Sequence, residues 1–125
     1  MLLELAIGDA YGAAFEYADP EFVEDFNDGE SYKDNRFRSG IYTDDTQMSL
    51  AIVEAILSGE EWTPENLAER FVDVYHRDPH SGYATRFYSF LKKTRSGAEF
   101  LANIRPESDK SGAAMRAAPL GIYAD

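Results

Sequence analysis

The chain has 125 residues, a length that suits one domain and is too short for two ordinary ones. Its 12 Lys and Arg against 23 Asp and Glu give a net charge of −11, which argues against non-specific nucleic-acid binding. The absence of cysteine excludes disulfides and thiolate metal sites, and it fits a cytoplasmic protein. We expect no membrane association, because no apolar run approaches the roughly 20 residues of a membrane-spanning helix.

The first 16 residues are apolar nearly all round a helix, a pattern that predicts a central, buried helix. Gly8 and Gly12, four residues apart, are expected to let another backbone come close. Asp9 and Glu16, seven residues apart, are expected on roughly the same face of this helix. Because a carboxylate on a buried helix is costly unless it has a partner, each needs either a metal ion or an arginine.

Residues 17–45 read as a long loop, rich in Asp, Glu, Asn and Gly, with room for a short strand or a turn of helix. A loop of this length inside a small domain is uncommon, and it is often a lid or a binding loop. It leads directly to the run Thr43-Asp-Asp-Thr46.

This run places two carboxylates and two hydroxyls at the start of an apolar helix. Crowded oxygen donors are what a hard cation such as Mg²⁺ selects, usually with water completing the shell. The alternative is a helix cap, since Thr or Asp before a helix accepts a backbone N–H bond and acidic groups suit the positive end of the helix dipole. The four residues alone leave both interpretations open.

Helical spacing continues through the rest of the chain. Gly59 is a plausible helix stop, and Thr63 followed by Pro64 is a cap with proline at the first helical position. The predicted helices cover residues 46–58, 64–77, 81–91 and 96–104, and the final segment, residues 113–125, is small and apolar. No period-two strand pattern is evident, so we predict an all-α fold and a single domain over residues 1–125.

Four segments, taken in order, resemble the ADP-ribosylglycohydrolase family. They are residues 8–16 (GDAYGAAFE), 42–48 (YTDDTQM), 82–87 (GYATRF) and 108–121 (SDKSGAAMRAAPLG). The resemblance implies an all-α fold with a two-magnesium centre, where ADP-ribose binds and its bond to a modified side chain or other acceptor is hydrolysed. It implies that Thr43, Asp44 and Asp45 are metal ligands, and that Glu16 acts with Asp44 and Asp45 in catalysis.

The resemblance also implies the substrate contacts. The turn before the Ala-Ala-Met-Arg helix would hold the diphosphate of ADP-ribose, and helix N-terminal N–H groups are suitable anion donors. Many members have Gly-Asn-Gly in this turn where this chain has Lys110-Ser-Gly112, so a lysine replaces the Asn contact. The residues assigned to substrate binding are Asp9, Tyr83, Arg86, Ser108, Lys110, Ser111, Gly112 and Arg116.

The chain departs from the family in length. Members usually run to more than twice this size, and an Asp-x-Asp-Thr segment near their C-terminus supplies the remaining metal ligands. No second such segment occurs in these 125 residues, so one magnesium ion or none is possible here. We therefore expect a truncated or compact member that forms a homo-oligomer or takes a completing partner chain. The functional alternatives are a hydrolase, a non-catalytic module for ADP-ribose or metal, and a helical interaction protein.

Overall fold

The computed structural model describes residues 1–34 and 39–123, and within them the chain forms eight helices and no strand. The predicted all-α fold class is confirmed. The helices are α1 (Leu2–Gly12), α2 (Pro20–Phe26), α3 (Asp44–Ser58), α4 (Pro64–Arg77), α5 (Thr85–Leu91), α6 (Gly97–Asn103), α7 (Gly112–Met115) and α8 (Ala118–Tyr123). None of these helices is long and apolar enough to cross a membrane.

The predicted end of α3 and the predicted start of α4 are confirmed. Thr63 caps α4, because its hydroxyl accepts the backbone N–H of Asn66 at 3.1 Å, and Pro64 occupies the first helical position. Gly59 ends α3 with φ of +68°, a left-handed conformation that glycine adopts without steric cost. These local signals mark the end of α3 and the start of α4, whereas α3 begins at Asp44, two residues before the predicted start.

The core lies where α3 and α6 pack on α4. Its fully buried centre includes Met48 and Ala51 from α3, Val74 and Tyr75 from α4, and Leu91 from α5. Gly97 permits the close approach of α6, because a Cβ at this position would lie 2.7 Å from the backbone nitrogen of Glu69. The core therefore consists mainly of side chains from α3, α4, α5 and α6, and it fixes the position of α3.

The predicted central position of α1 is wrong for the described residues. Ala10 is its only buried residue, while Leu3 and Ile7 are 70% and 49% exposed. Gly8 and Gly12 have open space where a Cβ would be, so neither brings a second backbone close. Helix α1 packs on α3 along one side and presents apolar side chains on the other. Self-association or a partner chain, expected from the sequence, stays a prediction.

The predicted loop over residues 17–45 contains the short helix α2. Its Phe22 and Phe26 continue an aromatic row from Phe15, with ring centroids 5.9 and 4.8 Å apart. The hydroxyl of Tyr11 donates to Asn27 at 2.6 Å and accepts the backbone N–H of Gly29 at 2.7 Å. This part of the loop thus folds back on α1. Residues 35–38 of the loop, like residues 124–125, lie outside the described residues.

Candidate functional site

The carboxylate of Asp9 joins α1 to the first turn of α3. It accepts the backbone N–H and the hydroxyl of Thr43, at 2.8 and 2.6 Å, and the backbone N–H and the hydroxyl of Thr46, at 3.1 and 2.6 Å. Thr43 occupies the N-cap position, but its own side chain makes no cap bond. Asp9 therefore caps α3 from another helix. The arginine that the sequence suggested as its alternative partner is replaced by these two threonines.

Asp9, rather than Asp44 or Asp45, accepts the backbone N–H groups of Thr43 and Thr46, and both aspartates are half-buried in the first turn of the helix. Burial raises the pKa of Asp44 to about 6, and the charge of Asp45 adds to the effect, while a hydrogen bond from its own backbone N–H opposes it. Burial also raises the pKa of Asp45, with Asp9 and Glu16 as the neighbouring charges responsible. Four carboxylates therefore share one region of the surface.

No basic side chain in the described part of the chain forms an ion pair with any of these four carboxylates. Repulsion among carboxylates that are partly removed from water is costly without a counter-charge. A bound cation would offset this repulsion.

The donor atoms in this region suit a hard divalent cation. The hydroxyl of Thr43 donates its hydrogen to Asp9, so its oxygen lone pairs remain free to face a cation. With the carboxylates of Asp44 and Asp45, it forms the oxygen-only set that Mg²⁺ prefers. Residues 1–34 and 39–123 do not, however, bring three acidic, His or Cys side chains together as a complete protein metal site. The three residues thus fit part of a magnesium shell.

Glu16 lies near this region, but it is not on the helix where the sequence analysis expected it. Helix α1 ends at Gly12, and the chain turns so that the backbone N–H of Glu16 donates to the carbonyl of Gly12 at 3.1 Å. Tyr17 follows with φ of +57°. Glu16 is therefore exposed and lies on a turn rather than on the same helical face as Asp9.

The third motif segment packs directly on the acidic run. Gly82 has φ of +110°, and a Cβ there would overlap Oδ1 of Asp44 and lie 2.8 Å from Cβ of Thr43. Tyr83 is buried, and its hydroxyl donates to Oε1 of Gln47 at 2.6 Å. Its pKa is raised by burial and, secondarily, by the charge of Asp44. The backbone of Gly82 thus lines the candidate site.

The fourth segment contributes a guanidinium. Arg116 lies 5.0 Å from the ring centroid of Phe71, and burial lowers its pKa while the charges of Tyr83 and Asp44 raise it. The hydroxyl of Ser49 donates to the carbonyl of Met115 at 3.2 Å, which ties this segment to α3. Arg116 is therefore close enough to Asp44 for their charges to interact.

The whole chain, residues 1–125, matches the ADP-ribosylglycohydrolase family. This chain is an ADP-ribosylglycohydrolase family member. It is 33% identical to the ADP-ribosylhydrolase ARH3 of Xenopus tropicalis, an alignment that covers 97% of this chain and 37% of that protein. It is 30% identical to the ADP-ribosylarginine hydrolase Tri1 of Serratia proteamaculans, over 98% of this chain and 35% of that protein. The chain thus spans little more than a third of these relatives. No solved structure matches it significantly.

In this family member, the predicted diphosphate turn is exposed. Ser108, Lys110 and Ser111 are solvent-accessible, and Lys110 Nζ lies 3.6 Å from the carboxylate of Asp109. Helix α7 has only four residues, so its dipole offers less to an anion than a full helix would. Gly112 connects the turn to the site, since a Cβ there would lie 3.6 Å from Nη2 of Arg116.

Arg86, another predicted substrate residue, is exposed on α5. Its side chain makes no hydrogen bond or ion pair to the four carboxylates within the part of the chain that the structure describes. The substrate-binding roles assigned to Arg86 and to the exposed turn stay predictions.

No role was assigned to Gly82 and Gln47 from the sequence, although both lie in the motif segments and pack around the candidate site. Gln47 is almost fully buried, and its Nε2 donates to the carbonyls of Val74, at 3.3 Å, and Asp78, at 2.5 Å, while its Oε1 accepts the hydroxyl of Tyr83. The available signal was a polar residue one turn before Ala51 on the apolar face of a helix, where only a fully hydrogen-bonded amide is tolerated.

Proposed function

We propose that this chain forms the cation-binding side of a magnesium-dependent ADP-ribosyl hydrolase site. The bond cleaved is the N- or O-glycosidic bond between ADP-ribose and a modified protein side chain or other acceptor. The observation that carries this proposal is that Asp44 and Asp45 are half-buried at the start of α3, within electrostatic reach of Asp9 and Glu16, and form no ion pair within the part of the chain that the structure describes. The names of the two relatives, an ADP-ribosylhydrolase and an ADP-ribosylarginine hydrolase, support the substrate class.

Thr43, Asp44 and Asp45 are the residues that would hold Mg²⁺. A bound magnesium ion polarises a coordinated hydroxyl or water and offsets negative charge, which suits chemistry at an anomeric carbon beside a diphosphate. Asp9 has a supporting role in this proposal, because both of its oxygens already accept hydrogen bonds. We therefore propose that Asp9 orients Thr43 and does not contact the substrate.

Glu16 is the side chain proposed to accept a proton from the attacking water. It is exposed, it lies close enough for its charge to affect Asp44 and Asp45, and no described hydrogen bond occupies its carboxylate. A carboxylate in this setting is an effective general base once water and substrate are positioned beside it.

Arg116 is the proposed partner of the ADP-ribose diphosphate. Guanidinium groups bind phosphate oxygens in pairs, and a positive group is required in a protein with a net charge of −11. Its position beside Gly112 lets the exposed turn with Ser108, Lys110 and Ser111 add further contacts to the same diphosphate.

The alternative is a binding module that holds ADP-ribose or metal without turnover. This alternative is favoured by the incomplete set of ligands among the described residues. It predicts binding with the same residues and no hydrolysis.

Release of ADP-ribose from an ADP-ribosylated arginine peptide, measured with saturating Mg²⁺, tests the proposal. We expect release by this chain and its loss in Asp44→Ala and Asp45→Ala, with Asp25→Ala on α2 as the matched control that retains it. Calorimetric binding of ADP-ribose without release would select the binding module. Neither release nor binding, tested across arginine- and serine-linked conjugates, would overturn both.

A further inference from the structure

Asp78, at the C-terminal end of α4, connects the two segments that meet at the candidate site. Its Oδ2 accepts the hydroxyl of Tyr42 at 3.1 Å and lies 2.9 Å from Nε2 of His80. Tyr42 immediately precedes Thr43, and His80 lies two residues before Gly82. One carboxylate oxygen therefore joins the acidic run to the glycine that packs on it.

Two further contacts strengthen this connection. The rings of Tyr42 and His80 stack with their centroids 4.0 Å apart and their planes 24° from parallel. The main-chain carbonyl of Asp78 accepts Nε2 of Gln47 at 2.5 Å, and Gln47 in turn accepts the hydroxyl of Tyr83. Asp78 thus contacts both sides of the junction through its side chain and its backbone.

The exposure of these groups indicates a local function. The side chain of Asp78 is 64% exposed, whereas that of His80 is 13% exposed. Exposed charged contacts contribute little to overall stability, because water competes for them. What they can determine is the position of a short loop whose neighbours are already fixed, as the core fixes α3 and α4 here.

We propose that Asp78 is a positioning residue for Asp44. Through Tyr42 and His80 it holds the backbone of Gly82 against Asp44 and Thr43, which restricts the Asp44 carboxylate to one orientation. The need for that orientation in cation binding rests on the proposed function, whereas the positioning itself does not. Groups that orient a ligand side chain commonly change metal affinity by 10- to 100-fold when they are removed.

Nuclear magnetic resonance of the chain without metal tests the positioning directly. Asp78→Ala should shift the amide resonance of Gly82 and the side-chain carboxyl resonance of Asp44. Asp73→Ala is the matched control, since Asp73 is an exposed aspartate of the same helix, 3.7 Å from Arg70, and should leave both signals unchanged. Unchanged signals in Asp78→Ala, or equal shifts in both variants, would overturn the proposal.

Titration with Mg²⁺ separates positioning from the loss of a negative charge. We expect Asp78→Ala to weaken magnesium binding about tenfold. Asp78→Asn removes the same charge but keeps an acceptor for Tyr42, so it should retain affinity within about threefold of the wild type. Equal losses in the two variants would show that charge alone matters and would contradict the proposal.

The two measurements also distinguish this proposal from the proposed function. If the wild-type chain binds no Mg²⁺, the proposed function fails and the resonances of Gly82 and Asp44 decide the positioning. Tyr42→Phe removes only the hydroxyl that reaches Asp78, so it tests the same link if Asp78→Ala does not fold. It should shift the Gly82 amide in the same direction, and the absence of that shift counts against the proposal.

Discussion

Asp9 accepts both the backbone N–H and the hydroxyl of Thr43, at 2.8 and 2.6 Å, across 34 residues of chain. These hydrogen bonds connect α1 to the start of α3. They also fix the position of Thr43, which directly precedes the two aspartates of the candidate site. Because Asp9 takes over the cap, the two interpretations of the Thr-Asp-Asp run are compatible. The run begins a helix, and its carboxylates remain available.

Asp9→Ala should destabilise the fold by about 2–3 kcal/mol, because it leaves two backbone N–H groups and two hydroxyls at the start of α3 without their acceptor. Urea unfolding followed by circular dichroism measures this free energy. Asp25→Ala on the exposed surface of α2 is the control and should change stability by less than about 0.5 kcal/mol. Equal effects of the two substitutions would show that the Asp9 contacts do not stabilise the fold.

Asp44 should make stability depend on pH in a specific direction. Its pKa is raised to about 6 in the folded chain, from an ordinary value of 3.8, by burial and by Asp45, Asp9 and Glu16, with Arg116 and Tyr83 as the other nearby ionisable groups. Between pH 4 and 6 the folded state therefore binds more protons than the unfolded state, and stability falls as pH rises.

Asp44→Asn removes this titration, so its stability should change less over that range and should exceed that of the wild type at pH 7. Thermal unfolding of both proteins at several pH values between 4 and 7 measures the difference. Parallel pH profiles for the two proteins would contradict the environment described for Asp44.

Gly82→Ala should cost about 3 kcal/mol or more, because it combines a left-handed backbone with overlap between the new Cβ and the Asp44 carboxylate. Gly29→Ala is a matched control with φ of +73° and open space around the position. It should cost about 1 kcal/mol from the backbone alone. Chemical denaturation gives both values, and a similar loss in the two variants would rule out close packing of Gly82 on Asp44.

The exposed apolar side of α1 leads to a prediction about association. If a second copy covers Leu3 and Ile7, the average mass in sedimentation equilibrium should rise with concentration, since exposed apolar patches of this kind are unusual on monomers. Leu3→Asp should keep the chain monomeric, whereas Glu24→Gln on α2 should leave association unchanged. A wild-type chain that is monomeric at every concentration would remove the homo-oligomer from consideration.

Local rules in the sequence predicted part of this structure well. The end of α3 is marked by Gly59, and the start of α4 is marked by Thr63 with Pro64. Each signal lies within one helical turn of its boundary, so both boundaries could be predicted from neighbouring residues. The burial of α1 could not be predicted, because a helix that is apolar on all sides gives no indication of which side packs against another element. Nor could the Asp9–Thr43 pair, whose members are distant in sequence and whose contact depends on how α1 packs on α3.

The candidate site shows the same division. Asp44 and Asp45 were predicted as site residues from residue type and from the family resemblance, and their role stays a prediction. In the structure both are half-buried, and the charges of Asp9 and Glu16 act on both of them. Gly82 was missed as a site residue because its contribution is the absence of a side chain against Asp44, which only the three-dimensional packing reveals.

The binding of magnesium at Asp44 and Asp45 is the central claim, and isothermal titration calorimetry tests it most directly. Wild-type chain titrated with Mg²⁺ at pH 7 should show saturable binding that is lost in Asp44→Asn and in Asp45→Asn and retained in Asp25→Asn. Absence of saturable binding by the wild type, or binding that survives in both site variants, would contradict it.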